Sequence, residues 1–140
     1  MVRGGMRMAE LGFFYGTLMS GFERRTRLGL DAELAYRGRG WIHASLYDLG
    51  LYPAAVPDED SRVWGEVFEL KDPAAVLDAI DEIEGYSVDH PDTSLYVRRH
   101  VPVHLEDDTI AEAWVYFYNA PLGRASRIPS GDYLSHMKLR

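Results

Sequence analysis

VWGEVFELKDPAAVLDAIDEIEGY, residues 63–86, changes its hydrophobic period halfway along. From Val63 to Leu70 the side chains alternate. Trp64, Glu66, Phe68 and Leu70 face one way and Val63, Gly65, Val67 and Glu69 the other, which is the two-residue repeat of a strand. After Lys71 the repeat lengthens to that of a helix. Asp72 can accept the free N–H groups of a first turn. Pro73 suits the first helical position, where its missing donor costs nothing, and Gly85 can adopt the left-handed conformation that ends a helix. The pattern therefore predicts a strand over 63–70 followed by a helix over 73–84.

Working outward, residues 11–15 (LGFFY) form a short apolar run that reads as a buried strand ended by Gly16. Residues 22–29 read as a short helix whose basic residues Arg24, Arg25 and Arg27 form a solvated face. Residues 33–49 hold two strand candidates broken by Gly38-Arg39-Gly40, with a turn near Pro53 and an acidic surface loop from Pro57 to Asp60. Residues 96–105 and 110–118 are strands joined through Glu106-Asp107-Asp108-Thr109, a pattern that predicts an antiparallel hairpin. The Gly-, Pro- and Ser-rich tail after Pro121 is expected to cover one end of the sheet. Residues 1–10 read as a flexible leader and 11–140 as a single domain. Many strands and few helices imply an α+β fold: a small, curled antiparallel β-barrel with flanking short helices.

Composition narrows the function. The chain has 140 residues, enough for one core. Its 22 Asp and Glu against 15 Lys and Arg leave a formal charge of −7. That charge repels phosphates and argues against general nucleic-acid binding. With no cysteine, thiol nucleophiles, disulfides and thiolate metal sites are excluded. No stretch approaches the roughly 20 apolar residues that cross a bilayer, and no apolar signal region follows Arg7. The expected setting is a cytoplasmic monomer. His100 and His104 have the spacing of a helical metal pair, but on a strand they would stand about 13 Å apart, too far to share an ion. The histidine pair therefore gives no metal site.

Two positions carry candidate chemistry. With Val76 set at 0°, Ile83, Ile80 and Leu77 fall at about −20°, 40° and 100°, an apolar stripe. Glu84 falls at about 80°, inside that stripe, while Asp78 and Glu82 point to solvent and Asp81, at about 140°, is borderline. A carboxylate in such a place is costly to ionise, and the negative end of the helix dipole adds to that cost. A carboxylate perturbed in this way suits a general base. The alternatives are an excursion past Gly85 into water or an ion pair with Arg98 or Arg99. The second position is Tyr15-Gly16-Thr17-Leu18. A glycine after a buried strand lets backbone amides approach a ligand closely, and such amides can form an anion-binding nest or an oxyanion hole. An ordinary turn is the alternative.

YGTL at 15–18, LYPAAV at 51–56, LDAIDEIEGY at 77–86, LYVRR at 95–99 and AWVYFYN at 113–119 occur in an order that resembles the γ-glutamylcyclotransferase-like superfamily, its small bacterial and γ-glutamylamine cyclotransferase branch above all. The resemblance spans about residues 11–120. It implies a small barrel with flanking helices and a reaction that needs no metal and no organic cofactor, in which the α-amine of a γ-glutamyl unit attacks its own side-chain amide to give 5-oxoproline and a free amine. It implies Glu84 as the catalytic acid/base. It assigns Tyr15, Gly16, Thr17 and Leu18 to the γ-glutamyl moiety and Tyr96 and Tyr118 to the pocket wall. Two alternatives share these residues: removal of a γ-glutamyl protecting group in a biosynthetic pathway, and a non-catalytic γ-glutamyl binding module.

Overall fold

A computed structural model describes residues 9–19 and 29–138. The leader, apart from its last two residues, and nearly all of the 22–29 helix lie outside the described residues. Among the described residues six strands and two helices follow in order: β1 (Leu11–Phe14), β2 (Leu34–Asp48), β3 (Pro53–Leu70), α1 (Pro73–Glu84), β4 (Tyr96–Leu105), β5 (Ile110–Tyr118), β6 (Ser126–Arg127) and α2 (Tyr133–Lys138). Single 3₁₀ turns lie at Asp31–Glu33 and Pro91–Thr93.

The strands run side by side as β3-β1-β5-β4-β2, and β2 pairs with β3 to close the ring. The result is a five-stranded barrel. It is mixed rather than wholly antiparallel, because β1 lies parallel to β5 at Gly12 and Trp114. Every other pairing is antiparallel, including the expected β4–β5 hairpin, where Tyr96 stands opposite Tyr118 and Arg98 opposite Tyr116. Phe13, Ile42, Leu46, Val63, Val67, Val103 and Val115 fill the core, each 1% exposed or less.

Two local readings change. Residues 34–48 form one strand rather than two, because Gly38-Arg39-Gly40 bends the chain without turning it. Tyr36 pairs with Phe68 and Gly38 with Val67, so Arg37 is an extra residue in a bulge. Gly38 takes φ +139°, which a residue with a Cβ rarely adopts. Gly40 lies so near β4 that a Cβ there would stand 2.7 Å from the His104 carbonyl oxygen. The acidic Pro57–Asp60 stretch belongs to β3. It sits at a second register shift, where Pro57 pairs with Ala44 and Arg62 with His43. The turn into β3 lies at 49–52, closed by Leu49 N–H on the Tyr52 carbonyl at 3.1 Å.

Helix α1 has the predicted boundaries. Asp72 accepts from Ala75 N–H, and Gly85 stands at φ +69°. The Tyr86 and Gly85 N–H groups return to the Asp81 and Glu82 carbonyls, a Schellman ending. Val76, Leu77 and Ile80 are buried as the stripe requires, and Ile83 is half-buried. The tail closes one end of the barrel as expected. β6 pairs with Tyr47 and Asp48, Ile128 and Tyr133 are buried, and Trp64 N–H donates to the Gly131 carbonyl.

Candidate active site

β1 ends at Phe14, and the chain then turns from Gly16 to Met19, with Met19 N–H on the Gly16 carbonyl at 3.0 Å. The turn lies against the start of β3. A Cβ on Gly16 would stand 2.9 Å from Pro53 Cγ, so glycine is what lets the two segments touch. Tyr15 fastens three strands at this point. Its hydroxyl donates to the Tyr116 carbonyl at 2.5 Å and accepts from Ala55 N–H at 3.3 Å. The Tyr96 hydroxyl donates to the Pro53 carbonyl at 3.0 Å. Those bonds hold a polar-edged opening in what is otherwise an apolar barrel end.

The opening is a cavity of about 40 Å³, lined by Phe13, Phe14, the Tyr15–Leu18 turn, Tyr52, Pro53, Glu84, Tyr96 and Tyr116. One water needs roughly 10–15 Å³ on this scale, so the space is about that of three waters. Glu84 reaches it from the last turn of α1, half-buried, as its place in the apolar stripe implies. The helix end and the first strand's turn therefore share one hollow.

The surroundings of Glu84 are specific. Arg98 does not serve as a fork for it: Nε and Nη2 close on the two carboxylate oxygens of Asp81 at 2.9 and 3.0 Å. Arg99 is exposed. The Tyr116 hydroxyl donates to Asp81 as well. The phenols of Tyr15 and Tyr116 are both held above the usual range. Burial is the main cause for each, and the charge of Glu84 adds to it in both.

Of the residues singled out in the sequence, Glu84, Tyr15, Gly16, Thr17, Leu18 and Tyr96 all line the cavity. Tyr118 does not. It packs edge-on against Tyr96, with ring centroids 5.3 Å apart. Its strand neighbour Tyr116 is the lining residue. Sequence reasoning also passed over Tyr52 and Pro53, although they lie in the LYPAAV segment. Tyr116 stands opposite Arg98 in the hairpin, and it takes the tertiary structure to show that Arg98 pairs with Asp81, one helical turn before Glu84. Among the described residues no group of three or more His, Asp or Glu side chains is arranged to hold a metal ion. None of the described helices is long and apolar enough to cross a membrane.

Comparison with known proteins gives a consistent picture. A family model described as gamma-glutamyl cyclotransferase, AIG2-like, matches residues 12–135. A Methanocaldococcus jannaschii protein is 32% identical over 125 residues, 89% of this chain and 95% of its own. A Vibrio cholerae protein is 33% identical over 130 residues, 90% of this chain and 96% of its own. Both carry the name "Putative gamma-glutamylcyclotransferase". The solution structure of the Escherichia coli protein ytfP superposes with a TM-score of 0.63 at 26% identity, covering 91% of this chain and 98% of that one.

Proposed function

This chain belongs to the AIG2-like γ-glutamyl cyclotransferase family, and from that premise we propose that it is an enzyme that cyclises a γ-glutamyl amine or γ-glutamyl amino acid to 5-oxoproline. The observation that carries the reading is the convergence of Glu84 and the Tyr15–Leu18 turn on one cavity.

The chemistry is proton management. An α-ammonium has an ordinary pKa of about 7.7–8.0 and attacks only after losing a proton. Glu84, at the cavity edge, takes that proton. The free amine attacks the side-chain amide carbon, forming the ring C–N bond, and the amide oxygen gains charge. We assign the stabilisation of that charge to the backbone amides of the Gly16 turn, and losing one such donor typically costs about 10²–10³ in rate. The old C–N bond then breaks. Overall two protons leave the attacking nitrogen and two reach the departing amine, with Glu84 as carrier, and the carboxylate ends as it began.

The test is a 5-oxoproline assay with a panel of γ-glutamyl amines and γ-glutamyl amino acids. Glu84→Gln keeps the shape and removes the proton carrier. It is expected to lower kcat at least 10³-fold with an unchanged melting temperature, within the range of lost acid–base catalysis. Near wild-type turnover in Glu84→Gln would remove the residue from its role. Tight calorimetric binding of γ-glutamyl ligands by the unaltered protein with no product would indicate a binding module instead.

A further inference from the structure

A phenol has one proton to donate, and three of the four tyrosines that line this cavity direct theirs to acceptors of the protein itself. Tyr15 donates to the Tyr116 carbonyl, Tyr96 to the Pro53 carbonyl and Tyr116 to the Asp81 carboxylate. The first two acceptors are backbone groups. The third is a side chain, and it is the one held most firmly. Asp81 is 13% exposed and gripped by both arms of Arg98. The Arg98 guanidinium in turn lies over the rings of Trp114 and Tyr86, 4.7 and 5.4 Å from their centroids.

We infer that Asp81 is a positioning residue of the active site: locked by Arg98, it draws the Tyr116 hydroxyl proton away from the cavity, so that the phenol turns its lone pairs toward Glu84 and the bound substrate. The inference rests on the reading of Glu84 given above. An oxygen so oriented accepts from a protonated Glu84 or from the substrate ammonium, and it does not donate to the Glu84 carboxylate. A donated hydrogen bond would stabilise the anion and weaken it as a base, whereas an accepting neighbour favours the protonated form. The ionisable groups around Tyr116 are Asp81 and Glu84 from α1 and Arg98 from β4. Tyr15, Tyr52 and Tyr96 complete the set around the cavity. The Tyr116 hydroxyl has two acceptors within reach, the Leu77 carbonyl at 3.5 Å and the nearer Asp81 carboxylate; the charged, Arg98-paired carboxylate is the stronger acceptor and sets the proton's direction.

The arrangement makes Asp81 act through Tyr116, and a double-mutant cycle measures that. Asp81→Asn cannot satisfy both the Arg98 fork and the phenol, because one carboxylate oxygen becomes a donor. It is expected to lower kcat about tenfold with KM within twofold and to move the acidic limb of the kcat–pH profile toward lower pH. Tyr116→Phe is expected to lower kcat by a similar factor. The double variant should then be no slower than the slower single one. A product of the two effects would show that Asp81 acts independently, and an unchanged pH profile in Asp81→Asn would leave it a purely structural ion pair; either outcome overturns the inference. A second readout needs no turnover. The Tyr116 hydroxyl proton should give a downfield NMR resonance, absent in Tyr116→Phe, that disappears in folded Asp81→Asn. Persistence of that resonance also overturns the inference. If the resonance behaves as expected but no γ-glutamyl substrate is cyclised, the functional reading fails while the proton's orientation stands.

Discussion

Tyr15 and Tyr116 show how a single side chain joins stability to function. Both phenols are raised above the usual range, chiefly by burial; Tyr116 is raised further by its bond to Asp81. The native protein therefore keeps them protonated where the unfolded chain ionises. Their contribution to stability is intact below about pH 10 and is lost as the pH rises beyond it, by about 1.4 kcal/mol per pH unit for each phenol. Chemical denaturation between pH 9 and 11 is expected to show this decline, and Tyr116→Phe should show about half of it. Glu84 was legible at this scale because a helical wheel needs only local spacing. Tyr118 rests on the resemblance alone; that its strand neighbour Tyr116 lines the cavity depends on the partner strand and helix being in place.

Helix α1 was legible to the residue, since its cap, its proline and its stop are all local devices. Its two ends should behave differently on mutation. Asp72→Ala removes a cap at the end far from the cavity and is expected to cost about 0.5–2 kcal/mol without altering kcat. Gly85→Ala places a Cβ at φ +69°, 3.3 Å from Leu95 Cβ. It should cost about 1–2 kcal/mol and also reduce kcat, because Glu84 is the residue before it. Melting curves together with initial rates would separate the two cases. β2 was less legible. Two glycines around an arginine resemble a turn, and only the β3 and β4 neighbours show that one serves a bulge and the other a close approach.

At the scale of the molecule, closure of the barrel is what brings the site together, and closure rests on an apolar filling shared by all five strands. Leu46 is fully buried and lies outside the cavity wall. Leu46→Ala is expected to destabilise the protein by about 2–5 kcal/mol, read as a lower denaturation midpoint. The amino-acid sequence by itself determined what depends on neighbours a few residues apart: the strand and helix periods, the caps of α1, the hairpin of β4 and β5, the inward stripe that includes Glu84, and a motif order that pointed to the family. Only the tertiary structure decided that β1 runs parallel to β5, that Arg98 grips Asp81, that Tyr116 stands where Tyr118 was expected, and that Glu84 and the Gly16 turn open on one hollow. The physical reason is that these contacts join segments far apart in the chain, whose meeting is set by strand register and barrel closure, and no local period carries that information.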